Sequence, residues 1–264
     1  MRSYLFRLID GASLEEAEEE LAKAGLQGIY IVEEEALGET LLGGYSKKKI
    51  AVKKIALSLL TEEKSESAVD WESQWALFAE DFKEGKAHID LSPFGVEKTL
   101  LLAPGAGFGD LSHPTTSLML EMMSGQVAEK KVIDIGSGSG ILTLAACLMG
   151  AESAIGIEID EQAIEHAREN AKLNGLEKKV SFGKKRPKRG LGKSVFLMNM
   201  IFPEQKQIQP QKWNGEAERW IVSGILEEQK REYLRETEKW GWTPVEERRK
   251  SGWMGWSFEV RDIL

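Results

Sequence analysis

Cysteine is almost absent: Cys147 stands alone in 264 residues, so the chain has no internal disulfide. Only three histidines occur, His88, His113 and His166, scattered along the chain. One cysteine and three scattered histidines cannot build a zinc site, so no metal is expected. No apolar run approaches the length of a membrane span, and none follows Met1 as a signal peptide would require. Positive charge is in deficit. A net charge of −8 argues against a general nucleic-acid coat. These absences lead to the expectation of a cytoplasmic enzyme. What is present is ordinary for a globular protein: 42% hydrophobic and 30% charged residues. The length suits one large α/β domain plus a small one.

Residues 131–160 carry the most information. A strand over Lys131–Ile135 runs into a turn with Gly136, Gly138 and Gly140, then an apolar helix from Ile141 to Met149. A second strand, Ser153–Ile157, ends on Glu158. This is a βαβ unit with room for a nucleotide at its carboxyl edge. The glycines let backbone approach a ligand where a Cβ would clash. An acid about twenty residues on can take two ribose hydroxyls. A dinucleotide fingerprint reads G-x-G-x-x-G. Here the third glycine comes one residue early, and Asp134 sits two residues before the first. This D-x-G-x-G-x-G form resembles motif I of the S-adenosylmethionine-dependent methyltransferases. No basic residue follows to meet a pyrophosphate. A cationic sulfonium prefers carboxylates, which Asp134, Glu158 and Asp160 supply. A ligand-free glycine turn is the plainer reading, but acid and glycines agree across two strands.

Elsewhere the pattern predicts a small α+β unit over 3–60. It has strands at Tyr4–Ile9, Gly28–Glu33 and Thr40–Gly44, a helix capped by Ser13 with Glu16, and a basic amphipathic helix over Lys47–Leu60. Glu62–Asp70 reads as a polar linker. Asp70 caps a helix with Trp71, Trp75, Phe78 and Phe82 on one face, a spacing that suits packing against a larger domain. From Lys131, strands and helices alternate, and two closing strands near Thr243–Arg248 and Met254–Val260 read as an antiparallel hairpin. Periodicity alone gives a doubly wound α/β fold. Pro203 and Pro210 lie in a stretch without clear pattern.

A second stretch, Gly107 to Thr116, adds specificity. Phe108-Gly109, His113-Pro114-Thr115-Thr116, the glycine motif, Ile-Gly-Ile-Glu-Ile-Asp at 155–160, Asn199 and Ser-Gly-Ile-Leu at 223–226 together resemble the bacterial methyltransferases of ribosomal protein L-eleven, the PrmA family. The resemblance runs from about Trp71 to Leu264. It implies a seven-stranded, Rossmann-like class I methyltransferase domain over 84–264. It also implies a ferredoxin-like substrate-recognition domain over 1–60 and a connecting linker and helix over 61–83. It implies S-adenosyl-L-methionine as cofactor, with Thr116, Asp134, Gly136, Gly138, Gly140, Glu158 and Asn199 as cofactor-binding residues. Glu158 would clamp the ribose diol, where the family usually has aspartate. Asn199, at the end of the fourth strand, would sit beside the methyl group and orient the acceptor amine. Asn199 and His113 are the catalytic candidates, His113 either as a base or as a holder of its loop. The implied partner is ribosomal protein L-eleven, modified on lysine ε-amines or the N-terminal amine. No nucleic-acid substrate, no membrane and a monomeric chain are expected.

Three positions depart from the family pattern: Asp110-Leu111-Ser112 in the loop, the basic run after Phe182-Gly183, and Met200-Ile201-Phe202 after Asn199. Other readings are a related methyltransferase of another protein lysine or small amine, and a binding module that has lost turnover. A nucleic-acid methyltransferase would want an Asn/Asp-Pro-Pro-Tyr-like motif after the fourth strand. The run at 184–193 reads as a solvated loop, and Gly192-Lys193-Ser194 lacks the glycine and helix of a P-loop.

Overall fold

The computed structural model describes residues 2–9, 11–34, 39–46, 49–50, 57–64, 81–105, 109, 113–185 and 192–260. The chain divides into two compact units, Met1–Asp70 and Trp71–Leu264.

The first unit contains strands β1 (Arg2–Leu8), β2 (Gln27–Glu34), β3 (Glu39–Ser46) and β4 (Leu57–Lys64) and helix α1 (Leu14–Lys23). The sheet order is β2-β3-β1-β4, with β1 antiparallel to both β3 and β4. Ala17 and Leu21 lie one helical turn apart on α1 and bury against Tyr4, Phe6 and Leu42. Glu16 N donates to Ser13 Oγ at 3.4 Å, so the serine does cap α1. Gly25, at φ 88°, turns the chain out of that helix. The expected helix over Lys47–Leu60 needs correction, because Leu57–Leu60 belong to β4, which continues through Glu62 and Glu63. Leu57 is buried beside β1, and pairing with that central strand outweighs helical periodicity here. Most of 47–56 lies outside the described residues, as do Trp71, Trp75 and Phe78.

The second unit opens with a small antiparallel sheet: β5 (Phe82–Lys83), β6 (Lys86–Asp90) and β7 (Thr99–Leu102). Phe82, expected on a helix, is therefore in a strand. Glu84 and Gly85, both at positive φ, close a two-residue turn just after it. His88 lies on the middle strand of this sheet.

The main sheet comes next. Helix α2 (Pro114–Met123) precedes β8 (Lys131–Ile135), α3 (Ile141–Leu148), β9 (Ser153–Ile157), α4 (Glu161–Leu173) and β10 (Val180–Gly183). Then come β11 (Ser194–Asn199), α5 (Phe202–Ile208), β12 (Ala217–Leu226), α6 (Lys230–Lys239), β13 (Trp242–Lys250) and β14 (Trp253–Val260). The order is β10-β9-β8-β11-β12-β14-β13, parallel from β10 to β12, with the expected antiparallel β13–β14 hairpin at the edge. The chain winds outward from β8 to one side and from β11 to the other. That places a topological switch point between them, where ligands bind in open α/β sheets.

Successive residues on the strands feed opposite faces. Val195 and Leu197 share a core with α2 and α3, while Phe196 and Met198 pack with Trp220, Tyr233, Trp242, Trp256 and Phe258. A sheet buried on both faces reads as nearly continuous apolar sequence, as β11 does. The unpatterned stretch proves to hold α5 and a 3-10 turn at Pro210–Trp213. Pro203 sits in the first turn of α5, where its missing N–H is no loss. Strand β12 runs to Leu226, and α6 begins at Lys230. Among the described residues no helix is long and apolar enough to cross a membrane.

Candidate functional site

Parallel strands end level at the carboxyl edge. Ile135 pairs with Ile157 on one side and Met198 on the other. The next residues, Gly136, Glu158 and Asn199, therefore stand in a row, spaced by about 4.8 Å per strand. Asn199 is half-buried and pairs with Ser223 of β12.

Past β8 the chain turns hard. Gly136, Gly138 and Gly140 have φ of 74°, 51° and 82°. Gly136 N and Ser137 N donate to Ile157 O at 2.8 and 3.2 Å, tying the turn to β9. A Cβ on Gly136 would stand 2.9 Å from Met200 Sδ, so this turn and the segment after Asn199 approach closely. Gly140 serves a different need. Its Cβ would meet Phe182 and Ala167 at 2.9 and 3.1 Å, so its smallness lets α3 start against α4 and β10.

The Glu158 carboxylate reaches back to that turn. Oε2 accepts from Gly138 N at 3.1 Å, and Oε1 accepts from Ile159 N at 2.6 Å and Asp160 N at 3.1 Å. Asp160, expected as a further carboxylate for a ligand, caps α4. Its Oδ1 accepts from Gln162 N at 2.7 Å and Ala163 N at 3.2 Å. Ile159 is 83% exposed and Ile201 50%, which leaves apolar surface directly beside Glu158 and Asn199.

Asp134 lies beneath the turn, 1% exposed. Its Oδ2 accepts from Thr143 Oγ1 at 2.7 Å, while Oδ1 has no partner within the protein. Burial pushes the carboxyl up to about 7; the Thr143 bond opposes this and the Glu158 charge adds to it. Thr116 Oγ1 and Ser137 Oγ are also buried without a partner. Buried polar atoms are nearly always satisfied, so three such atoms around one glycine turn and the helix facing it need an explanation. A small polar ligand there would supply one. Sequence reasoning misses Ser137, because a serine between glycines reads as a turn residue.

His113 is the N-cap of α2. Its Nδ1 accepts from Thr115 N at 3.3 Å and lies 2.7 Å from Thr115 Oγ1, and its ring meets Trp253 edge-on at 5.0 Å. His166 is structural: its ring bonds Ala103 O at 2.6 Å, and a Cβ on Gly105 would lie 2.3 Å from it. Asn170 next to it accepts from Ala103 N at 2.8 Å and donates to Ser139 O at 2.9 Å, joining that loop to the glycine turn. Cys147 is buried in the core. Lys184 pairs with Glu161 at 2.6 Å on the surface. Positions 110–112 and 186–191 lie outside the described residues. Among the described residues no three metal-ligating side chains gather.

The segment after Asn199 is locked in a way no sequence signal announces. Gln205, fully buried, donates to Met200 O at 2.7 Å and Ser223 O at 2.9 Å, and accepts from Tyr233 Oη at 2.6 Å. A Cβ on Gly224 would stand 2.2 Å from Met200 O, so only glycine admits this approach.

Several known proteins resemble this chain. A ribosomal protein L11 methyltransferase of Pseudomonas paraeruginosa is 45% identical over 116 residues, covering 41% of this chain and 39% of that protein. The protein of the same name from Photobacterium profundum is 43% identical over 119 residues, covering 42% and 40%. The matched part thus spans about two fifths of these curated relatives. The crystal structure of a ribosomal protein L11 methylase from Lactobacillus delbrueckii subsp. bulgaricus superposes with a TM-score of 0.55 at 24% identity, over 62% of this chain and 86% of that one, a likeness of fold. The family model for ribosomal protein L11 methyltransferase matches residues 44–260, more than half of the chain, which therefore belongs to the PrmA family.

Proposed function

We propose that the protein is an S-adenosylmethionine-dependent protein methyltransferase acting on ribosomal protein L11, at lysine ε-amines or the N-terminal α-amine. The observation that carries this is the row Gly136, Glu158, Asn199 at the switch point, with the unpartnered buried oxygens of Asp134, Ser137 and Thr116 around it. Glu158 is the residue for the ribose diol. Thr116, Asp134 and the Gly136–Gly138 backbone receive the methionine portion, whose ammonium and sulfonium charges suit buried carboxylate. Gly140 serves by placing α3. Ile159 and Ile201 offer apolar surface to a flat ring. The cofactor brings an already activated methyl group, so the chain's task is to bind, orient and exclude water.

Asn199 orients the acceptor: its amide oxygen accepts an N–H of the amine and directs the lone pair. An α-amine, with pKa roughly 7.7–8.0, is partly neutral at cellular pH, whereas a lysine at roughly 10.4 needs a dry surrounding to shed its proton. His113 positions its loop and α2 through its cap. In this reading residues 1–60 recognise the ribosomal protein, 61–83 connect, and 84–264 form the transferase domain of a cytoplasmic monomer.

Calorimetric titration with S-adenosylmethionine, paired with transfer assays, tests these roles. Glu158→Ala should weaken binding by at least about tenfold, the size expected for losing hydrogen bonds to a charged group. Asn199→Ala should bind normally and turn over slowly. Absence of cofactor binding by the wild type would end the proposal. Binding without transfer to any protein would make the chain a binding module.

A further inference from the structure

Resting on that reading, we propose that Gln205 is a positioning residue for methyl transfer, fixing the turn that presents Asn199. Asn199 sits at the last position of β11, so the turn that begins at Met200 decides where its side chain points. Met200 N donates to Ser223 O at 3.3 Å, and the two protons of the Gln205 amide go to Met200 O and Ser223 O. The turn is thus stitched to the neighbouring strand from both sides. Tyr233 Oη fixes the amide's orientation by donating to its oxygen, and Ser223 Oγ donates onward to Met254 O at 2.9 Å. Gln205, Ser223 and Tyr233 are all fully buried. A satisfied network in a low-dielectric interior admits one arrangement, since any other leaves a buried group unpaired. Gly224 completes it from the far side by allowing Met200 O to approach.

The same turn touches the ligand side. Met200 Sδ lies against the site a Gly136 Cβ would occupy, so the turn that presents Asn199 borders the glycine turn. Gln205 itself has no exposed surface and acts only through the turn.

The test uses the full chain carrying Gln205→Leu or Tyr233→Phe, with folding checked by tryptophan fluorescence. Tyr233→Phe removes one hydroxyl and keeps the ring, so it carries the test if the leucine variant does not fold. Three quantities are read: affinity for S-adenosylmethionine, kcat and KM for unmethylated ribosomal protein L11, and amide hydrogen exchange of the segment 199–204. The expected result is kcat at least tenfold lower for Gln205→Leu and severalfold lower for Tyr233→Phe. Cofactor affinity should stay within about threefold, with faster exchange in that segment. A purely structural role would lower the melting temperature and leave kcat per folded molecule unchanged; that outcome overturns the proposal. Unchanged exchange in a folded variant overturns it too, and can be read even if the wild type methylates nothing, which would count against the proposed function instead.

Discussion

Replacing Asp134 by asparagine should make the larger unit less sensitive to alkali. The Asp134 carboxyl is 1% exposed and titrates at about 7 in the fold, against 3.8 for the free group. The difference is about three pH units, each worth about 1.4 kcal/mol, so the ionised carboxylate costs the folded protein about 4 kcal/mol once fully charged. The sign follows from proton counts. Between the two values the folded state holds more protons than the unfolded one, so stability falls as pH rises. The cost is absent below 3.8 and complete above about 7. Between pH 5 and pH 8 the wild type should lose about 2 to 3 kcal/mol through this group alone. The asparagine side chain would keep the shape and the oxygen that accepts from Thr143, but cannot titrate. All eight tryptophans lie at or beyond Trp71, so their fluorescence follows the second unit only. Urea unfolding of both proteins at the two pH values gives the comparison. Equal pH dependence in the two proteins would refute the claim that Asp134 is buried and unpartnered at Oδ1.

Thr143→Val removes a bond that opposes the Asp134 shift, so the pH at which stability stops falling should lie above the wild-type value in the same urea series. Gly224→Ala would place a Cβ 2.2 Å from Met200 O at a φ of 92°, and should cost about 2 kcal/mol or more in denaturant melts while lowering turnover. Cys147 is buried and its thiol is pushed up to about 11 by burial, so an aromatic disulfide reagent at pH 8 should label it only at the rate of unfolding. Rapid labelling of the native protein would contradict its core placement.

The parts of the fold that are legible in the sequence are those where local chemistry and tertiary need coincide. The glycine turn and Glu158 lie twenty residues apart yet bond directly, because the βαβ unit that spaces them also brings them together. The closing hairpin is readable from two alternating strands without a helix between them. Segments governed by contacts distant in sequence are not readable. Leu57–Leu60 carry a helical pattern, but β1 offers a pairing partner that no local window contains. Gln205 looks like any surface glutamine of a polar helix. Its burial depends on Tyr233, 28 residues away, and on Ser223, 18 away. Asp160 reads beside Glu158 as a ligand carboxylate, whereas its position directly before α4 is an N-cap position, a signal the sequence does contain.

The most direct measurement is of the transfer itself. Purified protein would be incubated with methyl-labelled S-adenosylmethionine and unmethylated ribosomal protein L11, and the label located by peptide mass spectrometry. Label is expected on lysine side chains or the N-terminal amine, accumulating slowly with Asn199→Ala and at the wild-type rate with Cys147→Ala. Intact cofactor binding with no label on that protein would contradict the proposed activity.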